Sequence, residues 1–281
     1  MLSYRHGFHA GNHADVLKHF VLLALLRLLT RKDKPLYVID THAGAGSYSL
    51  TEGYAARNAE FETGIARLWK APDLPAPLAD YVDAVRAFNP DGALSRYPGS
   101  PQIALAALRP QDRLRLFELH PTDVRQLTDW ARDADRRVAI VAGDGFAGLK
   151  SVLPPPSRRG LALIDPSYET ASDYRAVVAA VADARARFAT GTYAVWYPQL
   201  ARREAERLPD QLLRLAGRDW LSVWLAVHAP AADGFGLHGS GMFVFDPPWG
   251  LEPAVRAAMP ALVALLGQDE RATFGLDFRQ E

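Results

Sequence analysis

Gly160-Leu161-Ala162-Leu163-Ile164-Asp165-Pro166-Ser167-Tyr168 is a short apolar run that stops on an acid, a proline, a hydroxyl and an aromatic ring. Four apolar residues bounded by glycine and proline predict a buried strand. Pro166 ends the ladder because it has no amide proton and a fixed φ. Asp165 then stands at the carboxyl edge of a sheet, where open α/β folds bind ligands. A carboxylate acceptor, a rigid backbone and an aromatic face together suit a flat base that carries an amino group. A near copy, Asp246-Pro247-Pro248-Trp249, ends another strand, so one of the two is a decoy.

The pattern around this segment sets the fold class. Strands are expected at Leu36–Asp40, Leu114–Leu119, Val138–Ala142, Leu161–Asp165, Thr192–Tyr197, Ser222–Val227 and Met242–Asp246. Helices are expected over 101–108, 121–133, 146–153, 172–188, 200–216 and 251–266. Such alternation predicts a doubly wound, mostly parallel, Rossmann-like α/β sheet with helices on both faces. No helix separates the last two strands, so they should form an antiparallel hairpin at one edge. Residues 1–34 read as a loop rich in His, Gly and Asn, then a helix capped by Asn12 or His13 and running to about Leu29. Residues 50–97 read as a helical insertion subdomain, with helices Glu60–Trp69 and Leu78–Phe88 and no clear strand. The whole span 1–281 is expected to be one domain.

Bulk properties exclude several classes of function. The 281 residues are 49% hydrophobic and 23% charged, the mix of an ordinary globular protein. Thirty-two basic and thirty-two acidic side chains cancel, so any contact with nucleic acid must come from local patches. The chain has no cysteine, which rules out disulfides and thiolate chemistry. Phe20–Leu29 is apolar but interrupted by Arg27, and half the length of a membrane span. These features predict a cytoplasmic protein with no membrane association.

The chemistry gathers at strand ends. Asp40-Thr41-His42-Ala43-Gly44-Ala45-Gly46 follows the first strand, and its glycines permit close backbone approach to a ligand. Taken alone this turn is weak, because Ser49 stands where a dinucleotide fingerprint wants a third glycine. Glu118, Asp144 and Asp165 end the next three strands. Glu118 could accept two hydrogen bonds from a ribose diol. Asp144-Gly145-Phe146 offers an acceptor for an adenine amino group and a ring to pack on the base. One isolated acid would read as a helix cap; four in series on one rim predict a nucleoside pocket.

At this point the chain resembles the class I S-adenosylmethionine-dependent methyltransferases, in the group that methylates amino nitrogens. The resemblance is closer to the ribosomal large subunit methyltransferase J family, which acts on N6 of an adenosine in 23S rRNA. It is carried by Leu2-Ser3-Tyr4-Arg5-His6, by His9 to His19, by the Asp40–Gly46 turn, by Tyr97-Pro98-Gly99-Ser100-Pro101 and by Trp196-Tyr197-Pro198. It runs nearly the whole length of the chain. The resemblance implies S-adenosyl-L-methionine as cofactor and 23S rRNA, before full ribosome assembly, as partner. It implies a cofactor site of Lys18, His19, His42, Gly44, Gly46, Ser100, Glu118, Asp144, Gly145 and Asp165. Tyr4 and His6 would contact the RNA, and Asp165, Pro166 and Tyr168 would be catalytic. No metal is implied, and a monomer is expected.

The mechanism so implied has the adenine amine donate to the Asp165 carboxylate and the Pro166 carbonyl, with Tyr168 stacked on a flipped base. Ser167 departs from the usual second proline, which leaves the Pro166 acceptor but frees one φ. Asp246 follows the last strand and reads as a terminator that caps the final helix. His9 and His13 have a spacing that can hold zinc on a helix, but Gly11-Asn12 argues against a helix there and for a loop facing RNA or cofactor. Arg158-Arg159, Arg202-Arg203, Arg57 and Arg67 are candidate phosphate contacts. The rival readings are a DNA adenine or glutamine N5 methyltransferase, a non-catalytic RNA-binding assembly factor, and, more remotely, a nicotinamide dehydrogenase.

Overall fold

The computed structural model describes residues 5–132, 136–231, 234 and 236–281. It opens on α1 (His13–Leu29), whose first amides are held by Asn12: the side-chain oxygen accepts from Ala14 N and Asp15 N, both at 3.0 Å. This helix is buried on nearly every face, which explains its uniformly apolar sequence. Next come β1 (Tyr37–Asp40), β2 (Ser47–Ser49), α2 (Gly53–Asn58), α3 (Ile65–Lys70), α4 (Ala76–Arg86) and β3 (Arg96–Pro98). The alternating part follows as α5 (Ser100–Ala107), β4 (Arg113–Glu118), α6 (Pro121–Ala131), β5 (Val138–Ala142), α7 (Gly145–Val152), β6 (Gly160–Ile164), α8 (Ala171–Arg187), β7 (Thr192–Gln199) and α9 (Arg203–Leu215). The chain closes on β8 (Trp220–Ala226), β9 (Gly239–Phe245), α10 (Leu251–Leu266) and β10 (Thr273–Arg279).

Eight strands form one sheet in the order β10-β8-β9-β7-β6-β1-β4-β5. β5, β4, β1, β6 and β7 run parallel, so their carboxyl ends share one rim. The order reverses between β1 and β6, the switch point at which doubly wound sheets bind ligands. β9 lies antiparallel between β7 and β8, and the β8–β9 hairpin is antiparallel as expected. The outermost strand is β10, which the sequence reading missed: it pairs antiparallel with β8 and takes the edge.

The insertion contains a two-stranded element as well as helices. β2 and β3 pair antiparallel at its neck, with Tyr48 opposite Tyr97. The predicted Glu60–Trp69 helix is broken: a 3-10 turn covers Glu60–Thr63, and α3 starts after Gly64. The break arises because Gly64 packs on the N-terminal loop, where a Cβ would lie 2.0 Å from Gly11 O. Leu68, Tyr81, Val82 and Val85 of the insertion share one apolar cluster with Leu17, Phe20 and Val21 of α1 and with Val255 and Met259 of α10.

Candidate active site

The parallel strands β1, β4, β5 and β6 deliver Asp40, Glu118, Asp144 and Asp165 to the same rim, each at or just past its strand's last residue. A cavity of about 420 Å³ opens there. Lys18, His19, His42, Gly44, Ser100, Glu118, Asp144, Gly145, Asp165, Pro166 and His6 all line it, as the sequence reading groups them. Asp40 lies just behind, accepting a 2.6 Å hydrogen bond from Ser100 Oγ and one from His42 N.

One end of the cavity is built from the Gly44 turn. Gly44 has φ +61, and a Cβ there would lie 2.4 Å from the Tyr48 hydroxyl. Its N–H donates to Glu118 Oε2 at 2.8 Å, while His120 N–H donates to Oε1 at 2.7 Å. Each Glu118 oxygen is thus oriented by the backbone and keeps a second lone pair for a ligand. Asp144 caps α7 through one oxygen, which accepts from Phe146 N at 2.8 Å. The His42 ring meets Phe146 edge-on at 5.0 Å. Burial pushes His42 down to about 4, so it is neutral near pH 7.

The opposite wall carries a buried relay. His19 Nδ1 is 2.8 Å from the Tyr97 hydroxyl, which is 2.9 Å from that of Tyr81. His19 Nε2 is buried and has no hydrogen-bond partner among the described residues, with Asp15 Oδ1 4.0 Å away. Burial pushes this imidazole down to about 3, outweighing the attraction of Asp15. Burial also pushes Asp40 up to about 6, although Ser100 and the His42 amide partly offset it.

A charged network holds the catalytic candidate. His6 Nε2 donates to Asp15 at 2.9 Å, Asp15 accepts from Lys18 at 2.9 Å, and Lys18 Nζ lies 2.5 Å from Asp165 Oδ2. Burial disfavours the Lys18 ammonium, but Asp15 and Asp165 more than offset this and hold its pKa above the usual lysine range. Asp15 stays well below the ordinary carboxylate value: burial is its largest influence, and the charges of His6, Lys18 and His19 outweigh it. For Asp165 the balance goes the other way, with burial raising it and Lys18 offsetting only part.

A second cavity, of about 510 Å³, lies on the other side of Asp165. It shares His6, Lys18, Asp165 and Ser167 with the first and adds Asn12, His13, Glu60 and Trp196. The Lys18 ammonium sits 5.8 Å from the centre of the Trp196 ring. Asp165 therefore borders two chambers, one lined by the strand ends and the other walled by an indole.

Some expected residues fall elsewhere. Tyr4 lies outside the described residues. Gly46 does not line the cavity: it has φ +80, and its carbonyl accepts from Gly99 N, so it shapes the turn behind. Tyr168 is a correction, since its ring is 2% exposed and lines neither chamber. Its hydroxyl donates to Trp196 O at 2.6 Å and its ring packs on Tyr174, with φ +52 turning the side chain inward.

Asp246 is at the opposite edge of the sheet, because β9 runs antiparallel to β7 and ends beside Thr192 and Tyr193. There it pairs with Arg185 at 2.7 Å. Three of the candidate phosphate contacts, Arg159, Arg202 and Arg67, instead donate to backbone carbonyls of Lys34, Glu169 and Gly267. Sequence reasoning missed Asp15, whose signal was its position one helical turn before Lys18. It also gave Trp196 no role. Among the described residues no group of three or more ligating side chains could hold a metal, and no helix is long and apolar enough to cross a membrane.

Comparison with known proteins is specific. A family profile described as "Ribosomal RNA large subunit methyltransferase D, RlmJ" matches residues 33–277. The chain is 50% identical over 263 residues to Ribosomal RNA large subunit methyltransferase J of Escherichia coli, covering 93% of each. It is 45% identical over 267 residues to the protein of that name from Haemophilus influenzae, covering 95% of this chain and 94% of the other. A crystal structure of a Legionella pneumophila protein superposes with a TM-score of 0.89 at 33% identity, covering 97% of this chain and 99% of that one.

Proposed function

Because the chain belongs to the ribosomal RNA large subunit methyltransferase family just described, we propose that it transfers a methyl group from S-adenosylmethionine to N6 of an adenosine in 23S rRNA. The observation that carries this reading is the position of Asp165 between two chambers. The strand-end chamber suits the cofactor. Its Glu118 can accept from a ribose diol, Asp144 from an adenine amine, and the orphaned His19 Nε2 can meet the amino-acid end. Several carboxylates around the cavity suit a cofactor that carries a sulfonium and an ammonium. The indole-walled chamber suits a base taken out of its stack.

When bound, the cofactor supplies an electrophilic methyl on sulfur; the protein supplies everything else. An exocyclic adenine amine is a weak nucleophile because its lone pair is conjugated into the ring. Donation from that amine to Asp165 and to the Pro166 carbonyl draws the nitrogen toward tetrahedral geometry and frees the lone pair. The freed lone pair would take up the methyl as its bond to sulfur is given up, so that the cofactor would be released as a neutral thioether. The proton lost from nitrogen goes to Asp165, whose raised pKa makes it a better acceptor than an exposed carboxylate. Lys18, held by Asp15, fixes the orientation of Asp165. Trp196 replaces Tyr168 as the face on which the base rests.

The test is transfer of labelled methyl from S-adenosylmethionine to protein-free 23S rRNA by wild type and Asp165→Ala. Wild type should label one adenosine, and the variant should lose at least about 100-fold while still binding cofactor. Equal labelling by both would remove Asp165 from the mechanism. Preferential labelling of duplex DNA or of a glutamine-bearing peptide would overturn the RNA assignment.

A further inference from the structure

Ser167 is half-buried at the seam where the two chambers meet, and it lines both. Among the described residues, neither its hydroxyl nor its amide makes a hydrogen bond. Ser100 Oγ donates to Asp40, Ser151 Oγ to Gly148 O and Ser157 Oγ to Arg159 O, whereas the unpartnered Ser240 Oγ is buried away from both chambers. An uncommitted hydroxyl two residues from Asp165, facing both chambers, is therefore set apart.

The donor inventory at this seam is short. Asp165 and the Pro166 carbonyl can only accept from an amine. Lys18 commits two of its three N–H donors to Asp15 and Asp165, His6 is bound to Asp15, and the unpartnered Trp196 indole N–H is itself buried. An adenine held by its amine also presents ring nitrogens N1 and N7 on either side, and these are acceptors. A buried acceptor without a donor costs binding energy, so a donor beside the amine favours adenine, and the serine that stands here in place of the usual second proline can supply one. Resting on the reading of the preceding subsection, we propose that the Ser167 hydroxyl donates to a ring nitrogen flanking the target amine and so is a specificity-determining residue.

The hydroxyl group can be tested apart from folding. Synthetic RNA spanning the site mapped in 23S rRNA would carry adenosine, 1-deazaadenosine or 7-deazaadenosine at the methylated position. Wild type, Ser167→Ala and Ser167→Thr would be compared by kcat/KM, with thermal melting and cofactor affinity as controls for folding. On adenosine, Ser167→Ala should lower kcat/KM about 3–10-fold, and Ser167→Thr, which keeps the hydroxyl, should restore it. On the deaza substrate that lacks the contacted nitrogen, wild type should be impaired and Ser167→Ala should lose nothing further. The other deaza substrate should behave like adenosine, which identifies the nitrogen. A loss in Ser167→Ala that is the same on all three RNAs, or absent on all three, overturns the proposal while leaving N6 methylation intact. Failure of wild type to label the adenosine RNA overturns both.

Discussion

The Lys18 ammonium lies 2.5 Å from the Asp165 carboxylate, joining two residues 147 positions apart. Lys18 is 5% exposed and is shared with Asp15 on its own helix. Removing the cation leaves Asp165 without a counter-charge and Asp15 with only His6, whereas removing one carboxylate leaves Lys18 still paired. Lys18→Met should therefore cost about 3–5 kcal/mol of unfolding free energy, and Asp165→Asn much less. Urea denaturation at pH 7 measures both. Equal, small losses would mean that the network is solvated rather than buried.

Stability should rise with pH between about 4.5 and 6. Burial holds His13, His19 and His42 at about 4, 3 and 4, below their ordinary 6.5. Each contributes stability that is present above pH 6.5 and lost as pH falls toward the folded value. Asp40, pushed from 3.8 up to about 6, acts oppositely: its contribution is present below pH 3.8 and lost as pH rises through 6. The raised Asp165 opposes the histidines in the same direction. His238 is lowered and Asp246 raised as well, so four lowered histidines outnumber three raised acids and the profile rises with pH. Asp40→Asn deletes one opposing group and should steepen that slope. Urea titrations at pH 4.5, 5.2 and 6 would show it, and a flat or falling profile in wild type would refute it.

The parallel strands and their acidic ends were legible because a buried strand leaves a continuous apolar run bounded by turn residues. That pattern by itself puts Asp165 and Glu118 on one rim. The inward turn of Tyr168 was not legible, since a positive φ at a non-glycine residue leaves no mark on the letters. Trp196 sits in β7 among buried apolar residues and reads as core; only the position of β7 beside β6 brings its indole to the second chamber. β10 was hidden because Thr273–Arg279 is an edge strand with mixed polarity. The break at Gly64 depends on contact with Gly11, which no local pattern encodes.

The placement of the two aromatic rings makes opposite demands on two variants. If Trp196 bears the target base, Trp196→Ala should lower kcat/KM for RNA by about 5- to 100-fold, the range for lost base–aromatic stacking, with cofactor affinity unchanged. Tyr168→Phe removes only the hydroxyl that donates to Trp196 O. It should cost about 1 kcal/mol of stability and little transfer activity. Steady-state kinetics with 23S rRNA, paired with thermal melting, separates the two. A larger kinetic loss in Tyr168→Phe than in Trp196→Ala would return the stacking role to Tyr168.

The insertion grips the N-terminal loop through hydrogen bonds around Gly11, beside the packing of Tyr54 on Phe8. Ile65 N donates to Gly11 O at 2.9 Å, and Glu60 accepts from both His9 and the Asn12 side chain. Because a Cβ on Gly64 would lie 2.0 Å from Gly11 O and 2.8 Å from Asn12 Cα, the loop must move if one is added. Asn12 also caps α1, so the shift propagates to Asp15 and Lys18 on its first turns. Gly64→Ala should thus destabilise by about 1–3 kcal/mol and also depress methyl transfer. Gly92→Ala serves as the control, since nothing lies within 4 Å and only its φ of +81 is strained. It should cost about 1 kcal/mol and leave turnover alone. Melting curves and single-turnover rates on both variants decide the matter: if the two lose activity equally, the clasp between Gly64 and Gly11 does not position Asp165.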